Sequence, residues 1–273
     1  MTIAGCGIGL RREHYQDVLE GRPEVPWFEV ISENFMVPGG RPRHVLERVR
    51  ERYPVALHGV SLSIGSAEPL DPGYLRRLGE LVRWIEPGLV SDHLSWSRLG
   101  VHNSHDLLPL PLTREAAATA AERIGRVQDA LGRRILVENI SSYVRFEQDE
   151  MHEWEFVSEV LEAADCDLLL DVNNLYVNSR NHRFDALRFL DGLPAGRVRQ
   201  IHLAGHEDHG DVVIDTHDQP IRDEVFELYR QALVRFGPVP TLIERDANVP
   251  PLAELLAESL RAAAILEGCL AAR

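Results

Sequence analysis

Nine side chains in this chain can bind metal ions through nitrogen or oxygen, and they recur in a regular order. They are His58, His93, Glu138, Asp171, Asn174, His202, Asp215, His217 and Glu244. None offers sulfur. Imidazole with carboxylate suits Fe, Mn or Zn and argues against Cu(I). Nine ligands are too many for one ion, so the pattern predicts a multinuclear metal enzyme. A carboxylate can bridge two ions, and Glu138 stands in the middle of the series. One expected group is His58, His93 and Glu138. A second is Glu138, Asp171, His202 and Glu244. A third and weaker one is Asn174, Asp215 and His217, because an amide oxygen is neutral. Few protein ligands per ion leave positions open for substrate or water. Glu138 is for this reason also a catalytic candidate. Asp246, two residues beyond Glu244, is a candidate acid–base group.

The elements that must position these groups are legible in the hydrophobic pattern. Eight β-rich runs cover Gly7–Arg11, Phe28–Asn34, Val55–Ile64, Leu89–Trp96, Arg134–Ser141, Leu168–Leu175, Val198–Ala204 and Thr241–Asp246. Most are continuous apolar segments, as in strands covered on both faces of a parallel sheet. Between them, helical periodicity covers Pro42–Arg52, Pro72–Glu86, Thr113–Leu131, Glu153–Ala164, Asp185–Leu190, Asp218–Phe236 and Pro250–Leu266. The first crossover, about 12–27, has room only for a brief helix. Asp71-Pro72 and Thr113 read as helix starts, and Gly132 and Gly237 as helix ends. Eight strands alternating with helices predict an α/β fold, a single (β/α)8 barrel over residues 1–273.

In such a barrel the strand C-termini share one face. His58, His93, Glu138, Asp171, His202 and Glu244 end six successive strands. The loops after strands six and seven add Asn174, Asp215 and His217. A lone His or Asp at a strand end is commonly a hydrogen-bonded structural group. Several carboxylates in one barrel mouth repel each other unless a cation neutralises them. Glu33 and Asn34 are expected to face the same mouth, and Asp92 to point away from it. His102, His105, His206 and His209 read as solvated loop residues; His14, His44, His152 and His182 read as surface residues.

Composition excludes several classes. All 29 basic residues are Arg, so Schiff-base and pyridoxal chemistry and any lysine base are ruled out. The net charge of −14 disfavours nucleic acid as a partner. No apolar window approaches the ~20 residues needed to span a membrane. The N-terminus lacks a signal-peptide pattern, so the expected location is the cytoplasm. Three widely spaced cysteines, Cys6, Cys166 and Cys269, fit neither a disulfide framework nor a zinc knot.

Longer motifs carry a family resemblance over nearly the whole chain. They include Trp27-Phe-Glu-Val-Ile-Ser-Glu-Asn-Phe35, His58-Gly-Val-Ser-Leu-Ser-Ile-Gly65, Ser91-Asp-His-Leu-Ser-Trp96, Val137-Glu-Asn-Ile-Ser-Ser-Tyr143, Leu170-Asp-Val-Asn-Asn174, Gln200-Ile-His-Leu-Ala-Gly-His206 and Asp215-Thr-His217. The ligand order resembles the endonuclease-IV/xylose-isomerase-like barrels, whose nucleases have His where this chain has Asn174. With that Asn, the chain more closely resembles the multinuclear non-haem iron-dependent oxidative enzymes of the methanobactin-biosynthesis oxidase type. The resemblance implies two or three Fe ions in Fe(II)/Fe(III) states and use of O2. It further implies a ribosomally synthesised precursor peptide as substrate, commonly modified at Cys, and a partner protein that recognises the leader peptide. The alternative it leaves is a Zn- or Mn-dependent phosphodiesterase of endonuclease IV type.

Overall fold

The computed structural model describes residues 2–100 and 102–271; Met1, Val101, Ala272 and Arg273 lie outside the described residues. Eight parallel strands close into a barrel in chain order: β1 (Cys6–Gly9), β2 (Phe28–Ile31), β3 (Val55–Gly59), β4 (Val90–His93), β5 (Leu136–Glu138), β6 (Asp167–Asp171), β7 (Val198–Leu203) and β8 (Thr241–Ile243). The sheet closes where β1 pairs with β8, placing Ile8 beside Ile243. Helices α1 (Tyr15–Gly21), α2 (Arg41–Arg50), α3 (Pro72–Ile85), α4 (Arg114–Leu131), α5 (Glu153–Ala164), α6 (Val172–His182), α7 (Ala186–Gly192), α8 (Asp223–Phe236) and α9 (Leu252–Ala271) form the connections and the final turn of the chain.

Period-two alternation sorts each strand's side chains between two cores. Leu57, Val137, Leu170, Ile201 and Ile243 belong to the main cluster, shared with the helices. Their neighbours Ala56 and Leu242 instead join Ile3 and Trp27 in a small cluster at the N-terminal end of the barrel. Trp27 is fully buried there, its indole N–H donating to the Gly5 carbonyl. Gly7 is small because the Trp27 ring occupies that space: a Cβ at Gly7 would stand 2.5 Å from it. The floor of the barrel is thus apolar. The same alternation puts His58, His93, Glu138, Asp171 and His202 inside the barrel, at the opposite end.

Helix ends follow local rules. Asp71 accepts from the Gly73 N–H ahead of α3, and Thr113 from the Ala116 N–H ahead of α4. Gly132 closes α4 in the left-handed region at φ 64°. The brief helix expected in the first crossover is α1.

Several elements differ from the sequence reading. The run expected as strand through Leu175 stops at Asp171, and α6 begins at the next residue. Asn174 therefore lies in the first turn of a helix, not in a loop. The segment after β4 forms an antiparallel hairpin, Trp96–Leu99 with His102–Leu108, rather than an open loop. The segment after β7 holds a short ladder, Glu207–Asp208 with Val213–Ile214, so α8 starts at Asp223, five residues later than its pattern suggested. Among the described residues no helix is long and apolar enough to cross a membrane.

Candidate metal centre

Strand register brings the sequence-selected groups level. His93 pairs with Glu138 across β4 and β5, and Asp171 with His202 across β6 and β7. All nine selected residues reach the C-terminal mouth. Three groups have ligand atoms within 4.8 Å of one another: His58, His93 and Glu138; Glu138, Asp171, His202 and Glu244; and His217, Glu244 and Asp246. The first two are the groups expected from spacing. The third, His217 with Glu244 and Asp246, is not the one expected from spacing; of the expected group, Asp215 meets His217 through a separate contact.

At the first group, His58 Nε2 and His93 Nε2 each lie 3.4 Å from Glu138 Oε2. Atoms bound tetrahedrally to one ion at about 2.1 Å stand about 3.4 Å apart. Both rings are held from behind: His58 Nδ1 meets Ser91 Oγ at 2.8 Å, and His93 Nδ1 meets the Gly59 carbonyl at 3.1 Å. A proton on His93 Nδ1 satisfies that carbonyl and leaves Nε2 with a lone pair facing Glu138. Burial, reinforced by neighbouring imidazoles, holds His58 well below the usual imidazole range, and burial brings His93 down to about 4. Neutral imidazoles are the form that binds metals.

At the second group, His202 sits between carboxylates. Nδ1 lies 2.9 Å from Glu244 Oε2 and 3.9 Å from Glu138 Oε1, while Nε2 lies 3.1 Å from Glu29 Oε1. Burial opposes its charge, but Glu29, Glu244 and Glu138 together raise its pKa well above the ordinary value. Burial drives the Glu138 carboxyl well up, and takes Asp171 to about 7 despite the nearby His217. Burial would also raise Glu244, but His202 and His217 overcome it and hold that carboxyl well below its usual range. Without a cation, protons must balance this buried set of acids.

Asp171 divides its carboxylate between two tasks. Oδ1 caps α6 by accepting from the Asn174 N–H at 2.6 Å, and Oδ2 is left buried with no hydrogen-bond partner among the described residues. Glu138 Oε2, Asn174 Oδ1 and His217 Nε2 are also buried and unpartnered there. His217 Nε2 lies 2.8 Å from Asp215 Oδ1 and 3.9 Å from Asp171 Oδ2, without the direction of a hydrogen bond. Unsatisfied buried polar atoms are costly. Four of them converging with neutral imidazoles fit cations as the missing partner, so these clusters can hold metal ions.

Asp246 sits at the rim, its side chain 44% exposed, between the Arg11 guanidinium and His217 Nδ1 at 3.5 Å. Arg11 also donates from Nε to the Arg245 carbonyl and reaches Glu244 Oε1 at 3.5 Å. A cavity of about 320 Å³ opens over the cluster, lined by His58, His93, Asn174, Asp215, Glu244 and Asp246 and roofed by Asp106–Pro109 and Tyr143. A larger cavity of about 550 Å³ lies beside it rather than over the ligands, walled by Phe146, Trp154, Phe156 and Phe184. The two share Pro109, Ile140, Ser142 and Val144.

Other sequence expectations fared unevenly. Asp92 accepts from the His93 and Leu62 N–H groups and is structural, as expected. Glu33 is tied to the Val60 N–H and the Tyr74 hydroxyl, and Asn34 is exposed, so neither lines the cavity over the cluster. His14 is not a surface residue: it is buried, with Nε2 2.8 Å from the Pro250 carbonyl. His206 is buried too, under Tyr176. Sequence reading missed Glu29, Arg11, Asn173 and Gln200. Glu29 had a signal: an acid between Phe28 and Val30 in a buried strand must face the barrel interior and needs a partner there.

A closed parallel barrel with a buried imidazole–carboxylate cluster at its strand ends defines a metal-capable barrel enzyme. The endonuclease IV of Thermus thermophilus superposes with a TM-score of 0.63 at 16% identity, covering 98% of this chain and 100% of that one. An L-ribulose 3-epimerase gives 0.61 at 15% identity, over 98% and 96%. These likenesses show the fold. The family follows from sequence: residues 5–267 match the model of the RiPP precursor modification enzymes MbnB/TglH/ChrH, and the chain belongs to that family. A UPF0276 protein of Anaeromyxobacter sp. (strain Fw109-5) is 54% identical over 99% of this chain and 95% of its own. A UPF0276 protein of Caulobacter vibrioides (strain NA1000 / CB15N) is 54% identical over 93% and 91%.

Proposed function

We propose that this protein uses iron and O2 to modify a ribosomally synthesised precursor peptide oxidatively, at Cys. The observation that carries the reading is the convergence of unpartnered buried atoms on Glu138, Asp171, Asn174 and His217 beside two neutral imidazoles. His58, His93 and Glu138 would hold one ion, and Glu138, Asp171, His202 and Glu244 a second. Asn174, Asp215 and His217 would hold a third. When bound, the iron supplies one-electron chemistry and activation of O2, which no side chain of this protein can provide.

The chain's own residues do the rest. Ser91, the Gly59 carbonyl and Glu29 orient the three imidazoles from behind. Asp246, exposed at the rim and held by Arg11, is placed to move a proton between the cluster and an incoming substrate. Val60, Ile140 and Val144 give the cavity apolar wall, suited to a Cys side chain entering from a peptide. Among the described residues lining that cavity there is no Arg, whereas Asp106, Asp215, Glu244 and Asp246 all line it. Apart from bound metal ions, a phosphodiester would find no guanidinium there and several carboxylates, which disfavours the nuclease alternative. A partner protein that recognises the leader peptide belongs to the reading only as the sequence resemblance implies it; the family match supports the peptide substrate.

The experiment is oxygen uptake by the anaerobically iron-loaded protein on mixing with a Cys-containing precursor peptide. Uptake that depends on the peptide, with a mass change on the peptide's Cys, is the expected result. Zinc-dependent cleavage of abasic DNA with no oxygen uptake would replace this reading with the phosphodiesterase one.

A further inference from the structure

Asp215 is held from three sides. Ser141 Oγ donates to its Oδ2 at 3.0 Å, its own N–H donates to the Tyr143 hydroxyl, and Asn173 Nδ2 donates to its Oδ1 at 2.7 Å. Oδ1 is the oxygen that faces His217 Nε2. Asn173 is in turn fixed by His206, whose Nδ1 lies 2.8 Å from Asn173 Oδ1. The polarity of this chain is forced. A carboxylate only accepts, so Asn173 must turn its NH2 to Asp215 and its oxygen to His206. His206 must then donate from Nδ1. Its ring is buried and stacked on Tyr176, with centroids 4.9 Å apart, which restrains its rotation. The segment carrying it is equally fixed: Gly205 packs against the Gln219 carbonyl so closely that no Cβ fits, and its own carbonyl accepts from the His217 N–H at 3.1 Å.

We propose that Asn173 and His206 are positioning residues for the third ion: they turn Asp215 Oδ1 toward His217 Nε2, while the same segment holds the His217 backbone. The inference rests on the metal-centre reading above and deepens it. Neither residue is a member of the first two groups, and the side-chain bonds that link them lead to Asp215, so their effect is expected at the third position.

The test is anaerobic titration of metal-free protein with ferrous iron, reading stoichiometry and the affinity of each ion. Asn173→Ala and His206→Leu are expected to weaken the last ion by about tenfold to a hundredfold, the usual cost of removing a partner that orients a ligand. The first two ions should bind as in the wild type. His206→Gln, whose side-chain N–H can still donate to Asn173 Oδ1, should recover the third ion; a residue that merely fills space would not show this rescue. Should His206→Leu fail to fold, Asn173→Ala and His206→Gln decide between them. Unchanged affinity for the last ion in Asn173→Ala overturns the inference, as does equal weakening of all three ions or a His206→Gln variant that loses the third ion. A wild type that binds two ions and no third also overturns it and leaves the metal-centre reading standing. A wild type that binds none removes both.

Discussion

Glu138 is the residue on which the centre turns, since its two oxygens face different groups: Oε2 looks to His58 and His93, and Oε1 to His202. Glu138→Ala is therefore expected to lower iron content by two ions per chain, measured by elemental analysis after anaerobic loading. His217→Ala should cost only the third ion, because His217 belongs to neither of the two groups that share Glu138; equal loss in both variants would break the grouping. Glu153 offers a test away from the ligands. Burial raises its carboxyl from the ordinary 4.5 to about 7, although the Asn178 amide partly offsets this. Between those values the unfolded chain releases the proton first, so stability from this group is full below about pH 4.5 and is lost as pH rises to about 7. Glu153→Gln should abolish that decline and stabilise the protein above pH 7 by at most about 3 kcal/mol. A variant whose unfolding free energy keeps the wild-type slope across that window would contradict the assignment. Six of the ligands were legible in sequence because each ends a β-rich, mostly apolar run, and Asn174, Asp215 and His217 because they follow such runs closely. Asn173 and His206 were not, because their role lies in contacts between α6 and the loop after β7, which no local pattern encodes.

At the scale of elements, the eight strands and most helices followed from the switch between strand and helix periods. The start of α6 did not: Leu168–Leu170 and Leu175 are apolar on either side of Asp171-Val-Asn-Asn, and the run reads as one strand. Asp171 resolves it by capping the helix, which uses one carboxylate oxygen and frees the other. The hairpin after β4 was hidden because its second strand, His102–Leu108, is mostly exposed and polar and shows no buried face. The floor of the barrel carries its own prediction. Gly7→Ala forces a methyl group against the Trp27 ring and should destabilise the fold by about 1–3 kcal/mol, as overpacking does. Thermal unfolding measures this, and iron stoichiometry should survive, because Gly7 and Trp27 lie at the opposite end of the barrel from the ligands. An unchanged melting temperature would mean that the floor is not packed as described.

For the molecule as a whole, charge and chemistry agree. The chain carries a net −14, and part of that excess is buried at the cluster, where bound cations would offset it. The aromatic cavity beside the metal cavity shares its wall and extends the accessible surface beyond one side chain, as a peptide substrate requires. The most direct measurement is elemental analysis and electron paramagnetic resonance of protein purified and loaded with iron under anaerobic conditions. Two or three iron ions per chain, with a mixed-valent signal that disappears in Glu138→Ala, is the expected result. Protein that retains no tightly bound iron, or that holds zinc alone and cleaves abasic DNA, would contradict the proposed chemistry.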